Sequence, residues 1–193
     1  MAEPSTGTPA PDLGASDVAE VVADGAASEL PGFLVPYLTE INASAAAEIV
    51  RTVFWVYPLL ETAHVIGLGL LFGGIFMLDL RLLGMNKGIS VSSLSRHVLP
   101  WVWMGFAINL VSGAMLFASD ALSLAANISF QLKMMLLVVA GLNATVFQLV
   151  SARGIERWDE RRSTSSGAKL AAVFSIAVWL AIITLGRLIA YWA

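Results

Sequence analysis

Ionisable side chains inside long apolar segments are the residues of this sequence most able to support chemistry. They are Glu61, His64, Lys133 and Arg187, and they occur in three separate apolar segments. Charged groups are costly in hydrocarbon, so they mark a functional site or an obligatory ion pair. An imidazole can ligate a metal, and ammonium or guanidinium groups can bind the carboxylates of a cofactor.

The depths of these four residues in their segments agree. A helix rises about 1.5 Å per residue, so Glu61 lies about 6 Å and His64 about 10 Å below an edge set at Tyr57. Lys133 lies about 6 Å inside the start of its segment, and Arg187 about 7 Å inside the end of the last segment. We therefore expect the four side chains to meet in one layer of the membrane.

Two interpretations of this layer remain open. In the first, His64 ligates a metal, with haem b as the cofactor, Lys133 and Arg187 face its carboxylates, and Glu61 orients the imidazole. In the second, Glu61 forms ion pairs with Arg187 or Lys133 beside a hydrogen-bonded His64, and this network joins three helices without a ligand.

Other metal chemistry is limited by composition. The chain has no cysteine and only two histidines, which excludes thiolate sites and three-histidine sites. Glu61 and His64 have the Glu-x-x-His spacing of di-iron bundles, but the later segments lack the further acids that such a centre needs. His97 lies near the opposite end from His64, so the two cannot sandwich one haem. A copper-handling protein is an alternative. The methionines of this chain are scattered in depth, however, as expected of flexible side chains that fill gaps in the packing.

Asp79 and Arg81 lie at the opposite end of the first segment, close to Arg96 and His97 in sequence. Charges near the end of a span cost little free energy, because the long Arg81 side chain can place its guanidinium in the membrane interface. Asp79 can pair with Arg96 or cap a helix. We interpret these residues as structural.

The elements that must hold these residues are membrane-spanning helices. The chain is 58% hydrophobic and 13% charged, where a soluble domain carries about 25% charge. Apolar stretches at about 55–83, 98–119, 129–152 and 169–192 are each long enough to cross a bilayer. Short connections make sequential helices antiparallel, so the predicted fold is an all-α, membrane-embedded antiparallel four-helix bundle over residues 54–193.

The first fifty residues differ in kind, with eight acids and no Lys or Arg. Residues 1–32 are poor in large apolar side chains and are predicted to be a disordered acidic tail. Residues 33–53 have apolar side chains at helical spacing, which predicts an amphipathic helix in the membrane interface.

Basic residues predict the orientation. They flank the first and third connections between spans and are absent from the second: Arg81, Lys87, Arg96, Arg153, Arg157, Arg161, Arg162 and Lys169. The positive-inside rule then predicts a multi-pass protein of the bacterial inner membrane with both termini outside, in the periplasm. Gly69 and Gly73 form a GxxxG pair, extended by Gly67 and Gly74, which we interpret as a helix-packing device.

Several runs resemble an uncharacterised bacterial family of four-helix membrane proteins over about residues 53–192. The runs are YPLLETAH at 57–64, DLRLLG at 79–84, PWVWMGF at 100–106, FQLKM at 130–134 and AGLN at 140–143. More distantly, His64 and Lys133 resemble paired positions of copper-resistance D-type membrane domains and of haem-binding membrane protoporphyrinogen oxidases. That likeness implies a role for these two residues in cofactor binding.

Together these features favour a membrane protein that binds haem or a similar redox cofactor near the outer face for electron transfer. A non-catalytic accessory subunit of a membrane complex and a copper-handling protein are the alternatives. The expected partners are the lipid bilayer and other membrane subunits or a redox protein. The chain has no motif for binding nucleic acid.

Overall fold

The computed structural model describes residues 15–86, 88–152 and 166–191 of the chain. Within these ranges the structure is helical and contains no strand, which confirms the all-α prediction. The helices in chain order are α1 (Ala15–Glu29), α2 (Val35–Asn42), α3 (Ala45–Thr52), α4 (Val56–Leu83), α5 (Val91–Ser119), α6 (Ala121–Ala126), α7 (Ile128–Ala152) and α8 (Ser166–Leu188), followed by a 3-10 turn at Ile189–Tyr191.

Four helices of the described ranges are long and apolar enough to cross a membrane. They are α4, α5, α7 as far as Val146, and α8 with its following turn to Tyr191. Helices suit lipid because each backbone N–H and C=O finds its partner within the same segment. The protein is therefore an integral membrane protein that contacts the lipid bilayer.

Local signals at the helix ends explain where the spans begin and end. Gly84 closes α4 with a φ of 105°, a left-handed conformation that only glycine adopts without strain. Ser90 caps α5, because its Oγ accepts a hydrogen bond from the Ser93 N–H at 3.2 Å. This cap starts α5 at Val91, ahead of the predicted start at residue 98, since the apolar run marks only the part of the helix suited to lipid.

The four spans pack as two antiparallel helix pairs, α4 with α5 and α7 with α8, and α4 also packs against α8. Their common core contains apolar side chains from all four: Leu71 of α4, Val102 of α5, Ala140 of α7, and Val178, Trp179 and Ile182 of α8. The starts of α4 and α7 and the ends of α5 and α8 lie at one end of this bundle, beside α6. We call it the α6 end.

Glycines bring α4 and α5 close together, but Gly69 and Gly73, the predicted GxxxG pair, are not among them. A Cβ on Gly105 would lie 2.6 Å from the Gly67 carbonyl oxygen and 2.6 Å from the Leu71 nitrogen. Gly69 and Gly73 instead have open space where a Cβ would be. Within the described structure, the close approach therefore depends on Gly67, Gly74 and Gly105, since a Cβ on Gly74 would lie 2.5 Å from Val102 Cγ2 of α5.

Residues before α4 form three helices. Helix α1 lies within the segment for which the sequence predicts a disordered tail, and its Ala23 and Ala26 pack with Leu38 of α2 against Leu122 of α6. Small apolar residues on one face of α1 make this packing possible. Residues 1–14 lie outside the described residues, where disorder stays a prediction.

The segment at 33–53 is divided into α2 and α3 rather than forming one helix. Ser44 interrupts it with an extended backbone and accepts a hydrogen bond from the Ala47 N–H at 3.3 Å, which caps α3. Arg51 of α3 donates hydrogen bonds to the backbone carbonyls of Asn42 at 2.8 Å and of Ser119 at 3.0 Å. One guanidinium thus joins the ends of α2 and α5.

Candidate functional site

His64 lies half-buried between α4 and α5, and its hydrogen bond to Ser112 of α5 indicates which ring nitrogen carries the hydrogen. The Nδ1 atom of His64 is 3.0 Å from Ser112 Oγ. The Ser112 hydroxyl donates its own proton to the Ile108 carbonyl at 2.6 Å, so it acts as an acceptor toward the ring. The backbone carbonyl of Asn109 is a second acceptor beside the imidazole. We infer from this network that Nδ1 carries the hydrogen and Nε2 keeps its lone pair.

A glycine on α5 makes room for the imidazole. A Cβ built on Gly113 would lie 3.1 Å from His64 Cε1 and 3.5 Å from its Nδ1. Any side chain at position 113 would therefore press on the ring. Ser112 and Gly113 together fix both the hydrogen bond and the position of the imidazole.

Lys133 of α7 reaches the same layer from the other helix pair. Its side chain is half-buried against α8, where a Cβ on Gly186 would lie 3.5 Å from Nζ. The ammonium is close enough to His64 to act on it electrostatically. Within the described residues no carboxylate forms an ion pair with Lys133, so this cation lies near the imidazole without an acidic partner there.

Arg187 and Glu61 lie at the same level but do not face the imidazole. Arg187 is exposed, donates a hydrogen bond to the Tyr191 hydroxyl at 3.3 Å, and stacks over that ring at 5.4 Å from its centroid. Glu61 is also exposed, and it lies near Tyr57. In the described ranges Glu61 forms no ion pair with Lys133 or Arg187, so the predicted ion-pair network is not present there.

Sequence reasoning missed the residues of α5 and α8 that complete this layer. Ser112 is seven residues before the end of α5 at Ser119, which corresponds to about 10 Å and matches the depth estimated for His64. That match of depths was the available signal. Ser112 also replaces Glu61 as the residue that orients the imidazole, because it, and not Glu61, bonds to Nδ1.

At the other end of the bundle, Asp79 and Arg81 are more buried than interface-level charges would be, each only 7% exposed. Asp79 faces the Ser175 hydroxyl of α8, and Arg81 donates to the Ile89 carbonyl through Nε. His97 is exposed and bonds through Nδ1 to the Ser93 carbonyl of its own helix at 2.8 Å. It precedes Ser112 by 15 residues, about 22 Å of helix, so it is far from His64.

The described residues contain no group of three or more His, Cys, Asp or Glu side chains that would hold a metal ion on their own. Among the described residues, the imidazole of His64 and the ammonium of Lys133 would suit a haem group, the imidazole as a ligand of its iron and the ammonium as a partner for a carboxylate.

Comparison with known proteins places the chain in a family without linking it to a reaction. No curated protein matches the chain, and no solved structure matches it. The distant likeness to copper-resistance D-type domains and protoporphyrinogen oxidases gains no support from these comparisons. A family model described as a family of unknown function (DUF6644) matches residues 38–192, from α2 through all four spans. The chain therefore belongs to the DUF6644 family.

Proposed function

We propose that this membrane protein binds haem at His64 and serves electron transfer. The observation that carries the proposal is the hydrogen bond of His64 Nδ1 to Ser112 Oγ. A metal-ligating histidine usually donates its other ring N–H to a fixed acceptor, which orients the ring and raises the basicity of the ligating nitrogen. Ser112 supplies that acceptor and leaves Nε2 as the ligand.

Lys133 is the second element of the proposal. An ammonium without an anionic partner is costly at this depth, and a cofactor carboxylate would supply the missing charge. Arg187, exposed one helical turn before Tyr191, would bind a second carboxylate from the rim. When bound, haem would supply one-electron chemistry, while the chain would hold its iron through His64 and its carboxylates through these two cations.

The test is a visible spectrum of the protein purified in mild detergent from cells supplied with a haem precursor. We expect a Soret band that disappears in His64→Ala and persists in His97→Ala, the matched control at the chain's other histidine. Ser112→Ala should lower haem occupancy without removing Nε2. The proposal would be refuted if folded wild-type protein showed no Soret band of bound haem, either as purified or after reconstitution with haem.

Copper analysis of the same sample addresses the copper-handling alternative. A copper site would use His64 with thioether sulfurs, but Met77, Met104, Met134 and Met135 are exposed on three different helices. Copper bound stoichiometrically in place of haem, and lost in His64→Ala, would favour that alternative.

A structural or accessory subunit is the candidate from a different functional class. It is favoured by α7, whose large apolar side chains Leu132, Met135, Val138 and Leu142 are exposed in the single chain. A colourless protein that co-purifies with a second membrane protein in fixed stoichiometry would support the accessory role. A haem-containing protein that co-purifies with a second membrane protein would instead identify that partner as the redox protein of the first proposal.

We further propose that the α6 end faces the periplasm of a bacterial inner membrane, with both termini on that side. The support is the distribution of basic residues, since the connection that contains α6 has none between Asp120 and Asn127. Cysteines introduced at Ser123 and at Gly88 should separate the two sides. Labelling of position 123 in intact spheroplasts by a membrane-impermeant maleimide, with protection of position 88, is the expected result; the reverse pattern would overturn the orientation.

A further inference from the structure

The carboxyl group of Asp79 lies in an environment that does not suit an anion. The side chain is 7% exposed, on the last turns of α4 where α8 packs against it. Its Oδ2 atom has no hydrogen-bond partner among the described residues. Buried polar atoms without partners are rare, and an isolated ionised carboxylate is among the costliest groups to bury.

Among the described residues, the neighbours of Asp79 offer its carboxyl one hydroxyl and no positive charge. Ser175 of α8, itself 7% exposed, is the polar side chain that acts on Asp79 in the described structure. Other contacts nearby are apolar, since Leu82 of α4 packs with Ala168 and Ala172 of α8 in one buried cluster.

The described charged groups near this end of the bundle do not contact the Asp79 carboxyl. Arg81 is two residues further along α4, about 200° around the helix, and bonds to the Ile89 carbonyl. Arg96 and His97 of α5 and Lys169 of α8 are exposed. None of these four acts on the Asp79 carboxyl in the described structure.

We propose that Asp79 is a proton-binding site within the membrane, with the Asp79 carboxyl taking up one proton from water at the α4–α5 connection. The step breaks an O–H bond of a hydronium ion in that water, forms an O–H bond on the carboxyl and leaves a neutral water molecule. It neutralises the buried charge, which is how a carboxylate without a counter-ion is accommodated in a low-dielectric site. The site is independent of the haem proposal, because His64 lies 15 residues away, about 22 Å along α4.

A proton fits this site better than a metal cation. Hard cations such as Ca²⁺ and Mg²⁺ need six or more oxygen ligands, whereas Asp79 and Ser175 supply three oxygens at most. Within the described residues no other acid or histidine joins them in a metal-ligating group. A proton needs only the carboxyl oxygen to which it binds.

Labelling with dicyclohexylcarbodiimide tests the proposal on the full-length protein in lipid vesicles. This apolar reagent adds to protonated carboxyl groups in membranes and leaves a stable N-acylurea that mass spectrometry locates. We expect an adduct at Asp79 near neutral pH that declines as the pH is raised. Asp79→Asn should remove this adduct, and Asp120→Asn, at an exposed acid of the α6 end, should leave it unchanged.

The wild-type protein alone decides the main outcome, so the test does not depend on the variant folding. Absence of an adduct at Asp79 in folded protein at neutral and mildly acidic pH would overturn the proposal. Protection of Asp79 by sodium ions at constant pH would also overturn it, because the site would then bind a metal cation. As a second readout, infrared spectra should show a protonated-carboxyl band that is absent from Asp79→Asn.

Discussion

The close approach of α4 and α5 at Gly105 makes a quantitative prediction about Gly105→Ala. The added Cβ would lie 2.6 Å from two backbone atoms of α4, the Gly67 oxygen and the Leu71 nitrogen. Backbone atoms cannot rotate away as side chains do, so the two helices must separate. Overpacking of this kind costs about 1–3 kcal/mol, and we expect the upper half of that range because both contacts are with backbone.

Gly69→Ala is the matched control, since a Cβ there meets nothing within 4 Å. Both substitutions gain the same helix propensity, about 1 kcal/mol, so this term cancels in the comparison. The difference between the two variants therefore isolates the packing term. We expect Gly105→Ala to be less stable than Gly69→Ala by about 2–3 kcal/mol.

The assay is reversible unfolding in mixed micelles of a mild detergent and sodium dodecyl sulfate, followed by circular dichroism and tryptophan fluorescence. The free energy of unfolding is compared between the variants at one detergent composition. Equal stability of Gly105→Ala and Gly69→Ala would refute the claim that α4 and α5 touch at their backbones here. A larger loss in Gly69→Ala would show that the other face of α4 makes the important contact.

Substitutions at three further positions test hydrogen bonds at or near the α6 end. Arg51→Ala should destabilise the fold by about 1.5–3 kcal/mol, because its charged hydrogen bonds join two helix ends; limited proteolysis between α2 and α4 should then accelerate. Asn127→Ala removes the Oδ1 acceptor of the Phe130 N–H, 3.2 Å away, and should cost about 1 kcal/mol in the same unfolding assay. Ser44→Ala should cost about 1 kcal/mol by removing the cap of α3, and Ser44→Asp should restore it; no loss in the alanine variant would contradict the cap.

The four spans were predictable because lipid imposes a simple requirement on sequence. A segment that crosses a bilayer needs an apolar run of about 20 residues, and that run is visible without any knowledge of packing. Polar extensions beyond the run are not visible in this way, which is why the first seven residues of α5 lie outside the stretch predicted to begin at residue 98. The short helix α6 is not predicted for a similar reason, since six residues are too few to show a clear helical periodicity of apolar side chains.

The depth of site residues was predictable, but the direction of their side chains was not. Depth follows from counting residues along a helix. The electrostatic effect of Lys133 on His64 agrees with the prediction that the two residues share one layer. Rotation about the helix axis depends on which face packs, and α4 is apolar all round, so its sequence does not identify that face. Glu61 and Arg187 consequently share the layer without facing the imidazole.

Ser112 shows why one partner of the site could not be identified from sequence. A serine inside a membrane helix usually satisfies its hydroxyl by bonding to the carbonyl four residues earlier, and Ser112 does so with Ile108. The same oxygen still has a lone pair, and only the packing of α4 against α5 brings the His64 ring to it. Asp79 is the converse case, a residue whose burial against α8 could not be deduced from its place near the end of a span.

The link through Arg51 has a consequence for how the chain is threaded through the membrane. Because this residue is bound to both Asn42 and the last turn of α5, the amino-terminal helices must share a compartment with the loop that joins the second and third spans. Reversing the insertion of the whole protein would carry both regions across together. A protease or fusion reporter that finds α2 on one side therefore reports the location of α6 as well.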